Sequence, residues 1–290
     1  MWSFRALARA LSLLSIAGQR RVGRWLGWLA WRARAPAARN TMINLSRCFP
    51  AMEPLERRRL ARESLAHTGQ LLAETGTTFH WPEPRWRALI LEIEGEHLLS
   101  SGTDGGKPLL ILAPHFGNWE FLALYLGKHG VTALYDPPRV RALEPLIVAA
   151  RSRSGATLLP IGPRGMREFV QALRNNSMVA LLPDQSPERE AGVYAPLFGV
   201  PALTMTFAHR LIRRSNPRVV MGAAVRCRGG FRLRFTELPA QIADPDPLVS
   251  ATTMNQAIEA LVLTEPAQYQ WEYKRFKRQP PGEPYLYPRR

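Results

Sequence analysis

Four short apolar runs alternate with helix-length stretches through the middle of this chain, and that alternation restricts the fold more than any other feature. The runs are Leu109–Ala113, Val131–Tyr135, Ala156–Ile161 and Met178–Leu182, and between them Trp119–Lys128, Arg139–Ser154 and Gly165–Arg174 read as helices. The first run, at Leu109–Leu112, shows no polar–apolar alternation and has the length of a strand buried on both faces. Repeated strand–helix order predicts an α/β fold: a mostly parallel central sheet flanked by helices, with right-handed crossovers. Sites on such sheets gather beyond the carboxyl ends of the strands. His115 and Asp184 each follow an apolar run directly, so both are expected on one rim.

The first run continues into polar residues of specific types, as LLILAPHFGNWEF from Leu109 to Phe121. His115 sits where strand gives way to turn, Gly117 and Asn118 are turn or helix-start residues, and Glu120 falls in the first turn of the next helix. Five residues along a helix is about 500°, so His115 and Glu120 can meet only if His115 lies in the turn and the chain bends back. Given that bend, a neutral imidazole can take a proton from a hydroxyl while the carboxylate fixes its tautomer. No Ser or Cys stands beside the pair, so the nucleophile would be the substrate's own hydroxyl and the reaction an acyl transfer. Backbone N–H groups at Gly117, Asn118 and Trp119 are then expected oxyanion donors. The spacing lacks the paired histidines of a zinc helix, and neither a metal nor a resident cofactor is expected.

Lysine and arginine number 39 against 23 acidic residues, a net +16 that calls for an anionic partner. No repeat, zinc-finger spacing or RNP-like segment favours nucleic acid, which leaves an anionic membrane surface or an acidic carrier protein. Two cysteines, Cys48 and Cys227, make no disulfide framework and fit a reducing compartment. No acidic residue occurs before Glu53, while arginines alternate with Leu7, Leu11, Leu14, Trp25, Leu26 and Leu29 at helical spacing. Ala10–Gln19, the longest uncharged run there, is half the length of a membrane span. Residues 1–39 are therefore expected as a basic amphipathic arm on the cytoplasmic leaflet, and 40–290 as the catalytic domain.

HFGNWE, His115 to Glu120, resembles the HxxxxD/E motif of the glycerolipid acyltransferase superfamily. The fuller wording is similar to the lipid A biosynthesis (lauroyl/myristoyl) acyltransferases: NTMINLSRCFP at Asn40, GEHL at Gly95, ARSRSGA at Ala150, LLPDQ at Leu181, PLFG at Pro196, and the terminal stretch Pro266–Tyr287 around Gln-Tyr-x-Trp and Arg-Phe-Lys. The resemblance runs from about residue 40 to 287. It implies an O-acyltransferase of the inner membrane's cytoplasmic face that uses acyl carrier protein or CoA as thioester donor and an anionic glycolipid as acceptor. On this likeness His115 is the base and Glu120 its orienting carboxylate. Arg151 and Arg153 match a stretch near the acceptor, and their guanidinium forks suit a phosphate. Asp184 and Gln185 are placed to hold a sugar hydroxyl or orient an arginine. Tyr135–Arg139 and Tyr273 depart from the family's usual Arg-Pro and His. A lysophospholipid or another amphiphile is the rival acceptor, and a non-catalytic basic membrane- or nucleic-acid-binding protein the rival class.

Further along, Pro54 to about Phe79, Leu203–Arg214 and Pro247–Leu263 read as helices, Ile90–Glu94 as an edge strand, and Val219–Val225 with Phe231–Phe235 as a hairpin. Leu197-Phe198-Gly199 reads as an apolar lip that could line an acyl tunnel or belong to the core.

Overall fold

Residues 2–87 fold as helices whose starts are written in the sequence. α1 covers Trp2–Ser12 and α2 covers Ile16–Arg32, the latter opened by the Ser15 hydroxyl accepting from the Gly18 N–H. Proline in the first turn starts α3 (Pro36–Cys48) and α4 (Pro54–Ala73), and the short α5 (Thr75–His80) and α6 (Glu83–Arg87) follow. The computed structural model describes residues 2–100, 107–138 and 140–288.

Helices α2 and α4 touch backbone to backbone. A Cβ on Gly23 would stand 2.4 Å from the Gln70 Cα, and one on Gly69 would stand 2.0 Å from the Gly23 carbonyl. That approach lets Arg20 reach into the domain, where its Nε donates to Glu74 at 2.7 Å and its two other nitrogens donate to the carbonyls of Cys227 and Gly230. Glu74 is fully buried and also accepts from Arg226 and from the Asn118 amide, both at 2.8 Å. Residues of α2 thus pack on the later part of the chain, while Leu7, Leu13, Leu14, Trp25, Leu26, Trp28 and Leu29 remain turned outward. No helix among the described residues is long and apolar enough to cross a membrane.

This buried network yields two stability predictions. Glu74→Ala strands two guanidinium groups without their counter-charge, and denaturant unfolding is expected to show a loss of about 3–5 kcal/mol. His67 lies beside the same arginines; burial first, then the charges of Arg226, Arg20 and Arg24, lowers its pKa to about 3. The unfolded chain takes up a proton near pH 6.5 that the folded one refuses. Stability is therefore fully present above pH 6.5 and falls towards pH 3, by up to about 1.4 kcal/mol per pH unit from this residue. His67→Phe should flatten that slope in pH-dependent unfolding.

The chain then builds β1 (Ile90–Glu94), β2 (Leu109–Leu112), α7 (Trp119–Gly127), β3 (Thr132–Tyr135), α8 (Glu144–Ser152), β4 (Thr157–Pro160), α9 (Pro163–Arg174) and β5 (Met178–Leu181). After these come β6 (Gly192–Leu197), β7 (Val200–Met205), α10 (Phe207–Ser215), β8 (Arg218–Cys227), β9 (Gly230–Glu237) and α11 (Pro247–Thr264). Among the described residues, seven strands form one sheet in the order β1-β9-β8-β2-β5-β3-β4. β8, β2, β5, β3 and β4 run parallel, whereas β9, antiparallel to β8, and the edge strand β1, parallel to β9, run the other way. One face packs under α9, α10 and α11 around Phe169, Leu211 and Ile258, and the other under α6 and α7 around Trp86, Phe121 and Phe231.

The α/β class, the edge strand and the β8–β9 hairpin agree with the sequence reading. Two expectations are corrected. Leu203 belongs to a strand rather than a helix, because β6 and β7 pair around a two-residue turn at Phe198 and Gly199, both in the left-handed region (φ 51° and 72°). The helix starts only at Phe207. Leu197-Phe198-Gly199 is accordingly a hairpin tip whose Leu197 is core. The helix expected from Arg139 is α8, beginning at Glu144; residue 139 lies outside the described residues.

Candidate active site

β2 and β5 are hydrogen-bonded neighbours in parallel register, with Leu112 opposite Leu181. His115 and Asp184 each lie three residues beyond that pair, so the register delivers them to the same height on the carboxyl rim. The Asp184 carboxylate faces His115 with both oxygens: Oδ1 lies 2.8 Å from the ring Nδ1, and Oδ2 accepts the His115 backbone N–H at 2.9 Å. Burial would raise the Asp184 carboxyl, but the His115 charge and hydrogen bonds, with Arg275 beyond, outweigh it and hold the group below the usual carboxylate range. An ionised Asp184 can only accept, so Nδ1 carries a proton, and in a neutral ring Nε2 then holds the lone pair. The Gln185 amide nitrogen lies 3.1 Å from Nε2 and donates to it, on the exposed side of the ring.

Glu120 was expected on His115, and the structure corrects this. Its carboxylate is gripped by Arg151 in a forked pair, Nε lying 2.9 Å from one oxygen and Nη2 bonding the other. The reason is geometric: Asn118 caps α7 through the Phe121 N–H, and this starts the helix so that residue 120 points towards α8. Burial would lower the Arg151 pKa, but the Glu120 charge and hydrogen bonds raise it. Arg151 lies over the Trp119 ring at 5.2 Å, and Trp119 meets the His115 ring edge-on at 5.4 Å. Glu120 therefore reaches His115 through two intervening side chains.

Gly117 and Asn118 are corrected as oxyanion donors. The Gly117 N–H donates to the Gln268 carbonyl and the Asn118 N–H to that of Ala224, at 2.9 and 2.8 Å. Gly117 adopts φ +59°, and a Cβ there would fall 2.1 Å from the Ala224 oxygen, so the turn needs glycine. The Trp119 and Glu120 N–H groups, in the first turn of α7, make no hydrogen bond among the described residues. Arg153 stands apart from this constellation; its guanidinium donates to the Thr77 and Thr78 carbonyls and holds α5 against α8.

The far wall comes from the terminal stretch Pro266–Tyr287, which the sequence marked by its resemblance to a family signature. Tyr269 bridges to Phe116 in antiparallel fashion, and the Gln270 N–H donates to the His115 carbonyl. Burial, then the charge of Asp184, keeps the Tyr269 phenol well above its ordinary pKa and so neutral. Arg275, fully buried, anchors this wall to the Leu203 carbonyl and the Thr204 hydroxyl. Tyr273 accepts from the Ser186 N–H and so ties the wall to the Asp184 loop. The signal for these residues was their aromatic–basic spacing in Gln268–Arg275, which carries no sign of where the segment docks.

Below the rim, an apolar cavity opens between the sheet and helices α7 and α8. Alanines at 113, 123, 133 and 180 make room for it, and Trp119 and Arg151 stand among its walls. Among the described residues, no group of three or more His, Cys, Asp or Glu could hold a metal ion.

The profile of one protein family, described as bacterial lipid A biosynthesis acyltransferase, matches residues 1–278. Among curated proteins, the chain is 29% identical over 272 residues to a lipid A biosynthesis lauroyltransferase of Escherichia coli K12, covering 92% of this chain and 88% of the relative. It is 28% identical over 249 residues to that organism's lipid A biosynthesis palmitoleoyltransferase, covering 84% and 80%. With its lipid A biosynthesis myristoyltransferase the figures are 26% over 278 residues, covering 93% and 83%.

Proposed function

Because this chain belongs to the bacterial lipid A biosynthesis acyltransferase family, and is thus an acyltransferase, we propose that it moves a fatty acyl group from acyl carrier protein or CoA to a hydroxyl of a lipid A precursor. His115 is the general base in this reading. The observation that carries it is the His115–Asp184 contact, 2.8 Å at Nδ1, which leaves Nε2 as an acceptor on the open side of the ring.

The acceptor hydroxyl takes the place of the Gln185 amide at Nε2, and Gln185, which is exposed, swings to hydrogen-bond the sugar. The hydroxyl gives its proton to Nε2 as its oxygen attacks the thioester carbonyl. Asp184 balances the imidazolium that forms. Charge gathering on the carbonyl oxygen is met by the Trp119 and Glu120 N–H groups at the positive end of α7. The C–S bond then breaks, and the imidazolium returns the proton to the departing thiolate. Glu120 holds Arg151 across the mouth of the apolar cavity, which receives the acyl chain. The lining of that cavity runs from β2 past β5 and β3 to β4, three strand spacings or about 14 Å.

The exposed apolar and basic face of α1 and α2 is assigned to the cytoplasmic leaflet of the inner membrane. A transfer assay tests the whole reading. Protein in detergent receives a labelled acyl-carrier thioester with a lipid A precursor or, separately, a lysophospholipid. Transfer to the precursor is expected; transfer only to the lysophospholipid replaces the acceptor, and transfer to neither overturns the reaction.

A further inference from the structure

We propose that a groove between α2 and α4 seats the phosphate headgroup of an anionic phospholipid, and that this seat orients the active-site rim towards the bilayer. The groove, about 280 Å³, is lined by Arg24, Trp28, Trp31, Arg59, Arg62 and Glu63 over a floor at Ala66. Three guanidinium groups therefore face a single carboxylate. The Arg24 and Arg62 guanidinium groups make no hydrogen bond or ion pair among the described residues. Arg59 has only long contacts, 3.9 Å to Glu56 and 4.0 Å to Glu63, with its side chain 71% exposed. Cations left this free beside each other repel one another, and a phosphate bridged by their forks removes that repulsion.

The aromatic walls of the groove and the exposed apolar side chains elsewhere on α2 point to a lipid's phosphate. Trp28 and Trp31 flank it, and Trp25, Leu26 and Leu29 stand exposed on the same helix. Tryptophan prefers the headgroup level of a bilayer, and leucines beside it gain by entering the acyl zone. A free anion would need the arginines but has no use for the tryptophan walls.

The placement also has a consequence for the rim. Arg20 fixes α2 over the Cys227 and Gly230 carbonyls, at the carboxyl end of β8. β8 is parallel to β2, so this is the rim on which His115 stands. A headgroup held in the groove brings the bilayer to the edge from which an amphiphilic acceptor enters. The proposal takes membrane docking from the proposed function and adds where, and on which lipid group, it is specific.

The test is vesicle co-sedimentation of the full chain. Vesicles of phosphatidylcholine are compared with vesicles containing phosphatidylglycerol, using wild type, an Arg24→Gln/Arg59→Gln/Arg62→Gln variant, and a control variant Arg164→Gln/Arg167→Gln/Arg174→Gln. The control removes the same charge from exposed positions on α9. The groove variant is expected to lose more than tenfold in affinity for the anionic vesicles, and the control less than threefold. Equal losses would reduce the effect to net charge and overturn the proposal. So would equal wild-type binding to both vesicles, or displacement by millimolar inorganic phosphate, which would mark a free-anion site. Transfer to a detergent-dispersed acceptor, read in parallel, separates the proposals: the groove variant keeps it, whereas failure of the acyl-transfer reading removes it from wild type as well. Thermal unfolding of each variant verifies that the fold is retained.

Discussion

His115→Ala is expected to lower turnover by about 10²–10⁴, the loss that follows removal of a general base, with the fold intact. The turn that carries the imidazole is held without it, by the Asn118 and Gln270 N–H groups on the Ala224 and His115 carbonyls. The backbone N–H at residue 115 also keeps its bond to Asp184 in the variant. Steady-state turnover with the thioester and acceptor both saturating reads the chemical step most directly. A variant that turns over at near wild-type rate, with a normal unfolding curve, would take His115 out of the mechanism.

Asp184→Asn is expected to cost a comparable factor, by a different route. Both Asp184 oxygens accept protons from His115, one from the ring and one from the backbone. An amide offers one oxygen and puts N–H donors where the other stood, so one of the two His115 donors meets a donor. The ring relieves this by moving its proton to Nε2, and an Nε2–H imidazole cannot take the acceptor's proton. Turnover should fall by about 10²–10⁴ with the Michaelis constant for the acceptor little changed. Glu120→Gln is the informative partner variant, because it loosens Arg151 and the cavity mouth without touching the ring. If Glu120→Gln proved the more damaging of the two, the orienting carboxylate would be Glu120 after all, reached by a rearrangement when substrate binds.

The exchange of Glu120 for Asp184 shows where sequence reasoning stops. The HxxxxE spacing invited a local pair, since the two residues are neighbours along the chain. Their meeting required a bend, and the bend that forms is spent on capping α7 with Asn118, which directs Glu120 to Arg151 instead. Asp184 was already marked by its place directly after an apolar run. Its contact with His115 could not be read, because the strand order of a parallel sheet is not local information. The same limit applies to the oxyanion donors. Gly117 and Asn118 have the right position, but their N–H groups are claimed by Gln268 and Ala224 from elements over 100 residues away. Arg153 looked like Arg151 in the sequence, and only the packing of α5 against α8 separates a structural arginine from one at the site.

By itself, the sequence determined the α/β class, the strand and helix runs of the core, and the rim on which His115 and Asp184 both stand, and it marked His115 as the candidate base. These follow from short-range physics: apolar run length, capping residues and the few side chains able to accept a proton near neutral pH. The tertiary structure alone decided which carboxylate faces that histidine, which N–H groups stay free, and how α2 is locked to the domain through Arg20 and Glu74. Those depend on strand register and on contacts between segments far apart in the chain, and a change of one residue in register reverses which side chains face each other.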